Sequence, residues 1–120
     1  MKKLLDAILV LLVLLPACSR PKNYPVKVGG TEIADYPTAV VTLSPYLGEI
    51  IYGLNQSPLL VGRSEFCDYN GNVRLLPSMG TVNEPDVDAI IALSPQIVFS
   101  AVDLPQAART ALAEHNIAIC

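Results

Sequence analysis

Apolar, β-branched runs alternate with amphipathic stretches along most of this chain. The run at residues 39–43 predicts a buried strand, and Ser44 with Pro45 predicts an N-cap and first residue of a helix that ends near Gly53. Strand and helix then alternate further, with short connections. The predicted strands are 39–43, 59–62, 96–100 and 117–120, and the predicted helices are 45–53, 83–93 and 104–114.

The order of these elements predicts the fold class. Successive strands separated by helices need crossover connections, which produce a parallel sheet covered on both faces. Before them, apolar positions flank Gly29 and Gly30, a pattern typical of a hairpin. We therefore predict an α/β fold: a Rossmann-like lobe with a mainly parallel sheet flanked by helices and preceded by a small β-hairpin.

The amino-terminal eighteen residues have the pattern of an export signal. Two lysines precede a short apolar run at residues 4–15, and the sequence LPAC ends at Cys18. This ending resembles the bacterial lipobox, whose cysteine becomes the lipidated first residue. We predict a lipoprotein signal peptide at 1–17, a tether at 18–24 and an exported chain anchored to the cell membrane on its extracytoplasmic face. A plain signal peptide or a transmembrane anchor are the alternatives.

Composition bounds what the remaining 103 residues can do. Six basic and ten acidic residues give them a formal charge of −4, without the clustered cations that nucleic-acid binding requires. This length suffices for one domain at 25–120 with a modest core. We expect Cys67 and Cys120 to be unpaired, with a disulfide between them as the alternative.

The chain stops inside an apolar run at residues 117–120, with no polar tail. A charged carboxylate is costly to bury, so we expect the sequence to be a truncated fragment.

Candidate binding residues follow the predicted strands. Ligands of parallel sheets gather at the carboxyl ends of the strands, where loops converge. Hydroxyl and carboxylate groups mixed with aromatic rings suit an organic ligand of some size. Each residue also has a purely structural interpretation, such as helix capping by Ser44 or a turn at Asp68. The candidates are Ser44, Tyr46, Ser64, Phe66, Asp68, Tyr69, Thr81 and Asn83.

We predict no catalytic and no resident metal site. The single histidine, His115, lies at a predicted helix end, where it is expected to interact with terminal carbonyls, and nucleophile-elbow, P-loop and dinucleotide-binding motifs are missing. Direct metal binding through Glu65, Cys67 and Asp68 stays open at this point.

Several fragments, in order, resemble the iron-siderophore and cobalamin family of ABC-transporter substrate-binding proteins. They cover about residues 24–120 and are specific as an ordered set. The fragments are YPTAVVTLSP at 36–45 with Glu49 and Ile50, VGR at 61–63 with CDY at 67–69, LPSMG at 76–80 with Asn83, and DAIIALSPQIV at 88–98.

The resemblance implies a lipid-anchored receptor that binds a small metal chelate, namely an iron-siderophore, haem or cobalamin, and delivers it to an ABC permease. It implies two Rossmann-like lobes joined by a long helix, of which this chain holds the first. No cofactor is implied. Docking on the permease is implied near Gln106, with Asp103 as the neighbouring acidic residue. The alternatives are a cell-surface interaction domain that keeps the fold but not uptake and, third, an extracellular hydrolase.

The lipid anchor can be tested by removing its acceptor. We expect Cys18→Ala to move the protein out of the membrane fraction, because the acyl chains are its predicted anchor. Cell fractionation measures this, and Cys120→Ala is the matched control that should stay membrane-bound. Membrane retention of the Cys18→Ala protein would refute the anchor.

Overall fold

The computed structural model describes Met1, residues 23–69 and residues 71–120. Apart from Met1, the predicted signal peptide lies outside the described residues, as do Cys18 and most of the predicted tether. The first two strands form the predicted hairpin. β1 (Val26–Val28) and β2 (Thr31–Ile33) pair antiparallel. Gly29 and Gly30 form its turn, and both have positive φ angles.

Four parallel strands form the central sheet, in the order β4-β3-β5-β6. β3 pairs with β4 on one side and with β5 on the other, and β6 extends the sheet beyond β5. The predicted parallel sheet is therefore confirmed. Its strands are β3 (Val40–Thr42), β4 (Leu60–Gly62), β5 (Ile97–Phe99) and β6 (Ala118–Ile119).

Of the four α-helices in the described part of the chain, three were predicted from the sequence. α1 (Pro45–Gly53) follows β3, α3 (Val87–Leu93) precedes β5, and α4 (Gln106–Glu114) joins β5 to β6. The exception is α2 (Gly71–Arg74), a single turn in a region where we expected a loop. Its buried Val73 packs into the core, a contact that no sequence periodicity over four residues could indicate.

The two faces of the sheet bury two separate cores. Val41 and Val98 face a core that includes Ile90 of α3 and Leu112 of α4. The neighbouring strand residues, such as Val40, contribute to the opposite core, which also holds residues of the hairpin, the α2 turn and α1. Successive strand residues point to opposite faces, so the uninterrupted apolar run of β3 is what a strand covered on both sides requires.

α3 begins four residues later than predicted, at Val87, and ends at Leu93 as predicted. The Asp86 carboxylate accepts a hydrogen bond from the backbone N–H of Ala89 at 3.0 Å, which caps the first turn. Ser94 ends the helix in the left-handed conformation with φ 48°. Gln96 follows, and its side-chain oxygen accepts from the backbone N–H of Ala39 at 2.8 Å, which aligns the amino ends of β3 and β5.

Within the described residues, none of the helices has the length and apolarity needed to cross a bilayer.

The Asp86 cap makes a measurable contribution to stability. We expect Asp86→Ala to lower the free energy of unfolding by about 1 kcal/mol, because the N–H of Ala89 loses its partner. Asp88→Ala is the control: it removes the same charge from the same turn, and we expect it to cost only about 0.3 kcal/mol. Urea denaturation measures both, and equal losses would contradict a specific capping role.

Candidate functional site

The carboxyl ends of the parallel strands meet at one edge of the sheet, as the topology requires. We call the loops at this edge the rim: residues 43–46 after β3, 63–69 after β4, 100–103 after β5, and the segment 77–85. All eight predicted ligand-binding residues lie in these segments.

Ser44 links the loops after β3 and β5. Its side-chain oxygen accepts a hydrogen bond from the backbone N–H of Ala101 at 2.9 Å. It occupies the N-cap position of α1, but its side chain bonds to no amide of that helix, so the predicted capping role of Ser44 is corrected. Only 3% of Ser44 is exposed, and Ser64 is also buried. Because both serines are buried, they lie beneath the exposed residues of the rim.

The loop after β4 is paired with the segment 77–85 through main-chain bonds. The N–H of Arg63 donates to the carbonyl of Pro77, the N–H of Met79 donates to the carbonyl of Arg63, and the N–H of Glu65 donates to the carbonyl of Gly80. Thr81 comes directly after this pairing. The structure therefore brings Thr81 and Asn83, which are distant in sequence, to the loop that carries Phe66.

Cys67 fixes the same loop to the start of α1. Its buried thiol lies 3.5 Å from the carbonyl oxygen of Pro45, and it fills the space beside Gly48, where a Cβ atom would be 2.9 Å from the sulfur. Burial raises the pKa of the Cys67 thiol, so the neutral form is favoured. Sequence reasoning did not identify Gly48 as part of this contact, because its partner is supplied by a different loop.

The exposed side chains of the rim combine aromatic and polar groups. Tyr46 is 52% exposed, Phe66 is 68% exposed and Tyr69 is 55% exposed. Asp68 and Asn83 are exposed, and Thr81 is half-buried.

Tyr69 is placed differently from the other rim aromatics. Its ring packs edge-on against Tyr52 in the last turn of α1, with ring centroids 5.9 Å apart. α1 runs away from the rim, so this contact draws Tyr69 along the helix and away from Tyr46 at the first turn.

The predicted docking residues lie beyond β5. Gln106 is the first residue of α4, and its side-chain amide donates to the hydroxyl of Thr110 at 3.4 Å. Asp103 forms an ion pair of 3.7 Å with Arg109, and the Asp103 side chain is almost fully exposed.

A wide groove of about 1000 Å³ lies beside the rim and was not predicted. It runs along α4 and the outer edge of β6 towards the hairpin, and it reaches the rim only at residues 100–103. At the hairpin end of the groove the turn packs closely on β6, since a Cβ atom on Gly29 would meet the carbonyl of Ile119. This long-range packing leaves no local signal in the sequence.

The described part of the chain also shows the surroundings of its histidine and cysteine side chains. Nδ1 of His115 lies 2.9 Å from the carbonyl oxygen of Ala111, as predicted for a helix end. Cys67 and Cys120 are free thiols. Among residues 23–69 and 71–120, no cluster of three His, Cys, Asp or Glu side chains could hold a metal ion, so Glu65, Cys67 and Asp68 do not form the site left open above.

The packing of Cys67 against Gly48 predicts a thiol-reactivity experiment. We expect Gly48→Ala to raise the reaction rate of Cys67 with a maleimide by roughly tenfold, because overpacking by about 1–3 kcal/mol favours the displaced loop. Gly53→Ala is the control on the same helix, since nothing lies within 4 Å of its added Cβ. The variants are made in a Cys18→Ser, Cys120→Ser background, and equal rates in the two would contradict the contact.

We compared the chain with known proteins to place this fold. No family model and no curated protein matches the sequence. Among solved structures, a periplasmic haem-binding protein from Pseudomonas aeruginosa is similar, with a TM-score of 0.67 and 21% identity over 71% of this chain and 31% of that one. The periplasmic vitamin B12-binding protein BtuF of Vibrio cholerae gives a TM-score of 0.61 and 21% identity, over 70% and 33% of the two chains. The periplasmic haem-binding protein HutB of Vibrio cholerae gives 0.62 and 18%, over 68% and 32%.

These similarities establish the fold and its extent. The chain spans about a third of the length of the solved structures it matches. The predicted Rossmann-like lobe is confirmed, and its fold is the one found in part of periplasmic haem-binding and vitamin B12-binding proteins.

Proposed function

We propose that this chain is a lobe of the extracytoplasmic substrate-binding component of an ABC importer. Its ligand is a metal chelate of the haem, cobalamin or iron-siderophore class, and Cys18 carries its lipid anchor. The proposal rests on the fold shared with periplasmic haem-binding and vitamin B12-binding proteins, together with the side chains that this chain exposes at its rim.

The exposed aromatic rings of the rim are the observation that carries the ligand class. Tyr46 and Phe66 lie on neighbouring loops that Cys67 joins, and both present apolar surface to solvent. A soluble surface rarely exposes large rings together unless they bind something. Haem and corrin rings are broad and flat, so aromatic side chains can cover their faces.

Polar groups around these rings would orient the ligand. The carboxylate of Asp68, on the same loop as Phe66, and the amide of Asn83, on the segment 77–85, are both exposed. Such groups can pair with the oxygens and nitrogens at the periphery of a chelate. Binding needs no covalent step, and the hydrogen bonds that hold the rim limit the entropy lost when the ligand is captured.

Delivery to a permease would use the surface at the start of α4. Asp103 is the acidic group there, and its ion pair with Arg109 is solvent-exposed. Exposed pairs of this kind contribute little, so the Asp103 carboxylate can exchange Arg109 for a basic residue of a permease. Gln106 would lie beside this contact as a neutral hydrogen-bonding group.

A cell-surface interaction domain is the second candidate. It is favoured by the neutral Gln106 at the expected docking position and by the pairing of Asp103 within its own chain. This role predicts no response to small metal chelates, so a ligand titration separates the two candidates.

Titration of the full-length protein, of which this chain is proposed to be one lobe, with haemin, cyanocobalamin and a ferric siderophore tests the ligand class. The chain has five tyrosines and no tryptophan, so quenching of tyrosine fluorescence reports binding near the rim. We expect one ligand to bind, and Phe66→Ala to weaken it roughly two- to tenfold through loss of the ring contact.

Leu75→Ala is the matched control, because Leu75 is an apolar residue 84% exposed outside the rim. We expect its affinity to equal that of the unmodified protein. Absence of a response to all three ligands would refute the receptor proposal, and equal losses in both variants would move the site away from Phe66.

A further inference from the structure

Arg63 has an unusual set of partners for a residue at the surface of a loop. Its side-chain Nε donates to the carbonyl oxygen of Leu76 at 3.1 Å, and Nη1 donates to the carbonyl oxygens of Ser64 and Glu65, each at 2.9 Å. The guanidinium group is therefore bonded to main chain on two sides. Its positive charge therefore faces the peptide carbonyls of Ser64 and Glu65 in the rim and of Leu76 just before the segment 77–85.

These bonds join two separate segments of the chain. Ser64 and Glu65 lie in the loop after β4, whereas Leu76 immediately precedes the segment 77–85. The main chain of Arg63 connects the same two segments through its bonds with Pro77 and Met79. One residue thus holds them together through both its backbone and its side chain.

Only arginine has the geometry for this arrangement. Its planar guanidinium directs donors along fixed, diverging directions, so it can reach carbonyls on opposite sides. A lysine ammonium carries the same charge on a single atom and cannot span these acceptors in the same way. The requirement is therefore for shape as well as charge.

Two of the proposed ligand contacts depend on these segments. Phe66 follows Glu65 directly, and Thr81 follows Gly80, whose carbonyl accepts from the N–H of Glu65. The main-chain bond between Glu65 and Gly80 thus sets the separation of Phe66 and Thr81, and the Arg63 side chain holds the Glu65 end of that bond by donating to the Glu65 carbonyl. Bonds to a charged group contribute more than neutral ones, so their loss is expected to loosen both segments together.

We propose that Arg63 is the positioning residue of the rim: it fixes the distance between the Phe66 loop and the Thr81 segment by clamping their main chains. Its link to ligand binding rests on the function proposed above. Arg63 acts through the two loops, and its charge is not the group that recognises the ligand.

Amide hydrogen exchange on the full chain tests the clamp directly. In Arg63→Ala we expect the amides of Glu65 and Met79 to exchange at least about tenfold faster, because local opening becomes easier. The sheet amides of Ala118 and Cys120, which donate to Gln96 and Val98, should keep their rates. Arg74→Ala, which removes an exposed arginine from α2, is the control and should change neither set.

The affinity for haemin or cyanocobalamin, whichever binds the unmodified chain, shows whether the clamp requires the shape of the arginine side chain or only its charge. We expect Arg63→Lys to lose as much affinity as Arg63→Ala, about tenfold, and millimolar guanidinium to restore binding to Arg63→Ala where ammonium does not. Arg74→Ala should bind normally.

The results that would overturn the clamp are distinct. Unchanged exchange at Glu65 and Met79, or faster exchange at every amide, would overturn it, since the second pattern indicates a general loss of stability. Normal affinity in Arg63→Lys would show that charge alone suffices, and would also overturn it. If the unmodified chain binds neither probe, the proposed function fails, and the exchange experiment alone decides the role of Arg63.

Discussion

A buried strand must have its peptide groups hydrogen-bonded along both edges, and this constraint on β3 organises the molecule. All three of its residues are buried, so water cannot satisfy their N–H and C=O groups. β4 and β5 supply the partners, one on each side. Because both neighbours run parallel to β3, their carboxyl ends meet at one edge, and every feature of the rim follows from that meeting.

The position of β3 also sets where the chain changes direction across the sheet. The connection from β3 leads outward to β4, and the next crosses to β5 on the other side of β3. In open parallel sheets a crevice forms at this point. Here the bond from the N–H of Ala101 to Ser44 closes the base of the crevice. The surface above this bond is open and carries Tyr46 and Phe66. An open surface suits one face of a broad, flat ligand better than a small molecule that must be fully enclosed.

The rim is held by a chain of polar contacts between its loops. Ala101 binds Ser44, the Cys67 thiol reaches Pro45, and the N–H of Glu65 binds Gly80. Each contact is modest, but together they connect four segments that regular secondary structure leaves unconnected. A surface organised in this way is already ordered, so the binding proposed above would lose little conformational entropy at the rim.

The sequence alone determined the elements whose signals are local. The β-branched run of β3, the proline that opens α1 and the paired glycines of the hairpin each act through neighbours a few residues away, and each was predicted at its observed place. The start of α3 was predicted at residue 83, whereas Asp86 caps the helix and Val87 begins it. The alternation of strands and helices then indicated a parallel sheet, and hence the edge at which the candidate site lies.

Tertiary structure decided what the side chains at that edge do. It assigned the Ser44 hydroxyl to Ala101, 57 residues away, drew Tyr69 to Tyr52, made the α2 turn and opened the groove beside α4. The physical reason is that hydrophobic periodicity records which face of an element is buried, whereas the partner of a polar group depends on strand register and on loops that meet only after folding.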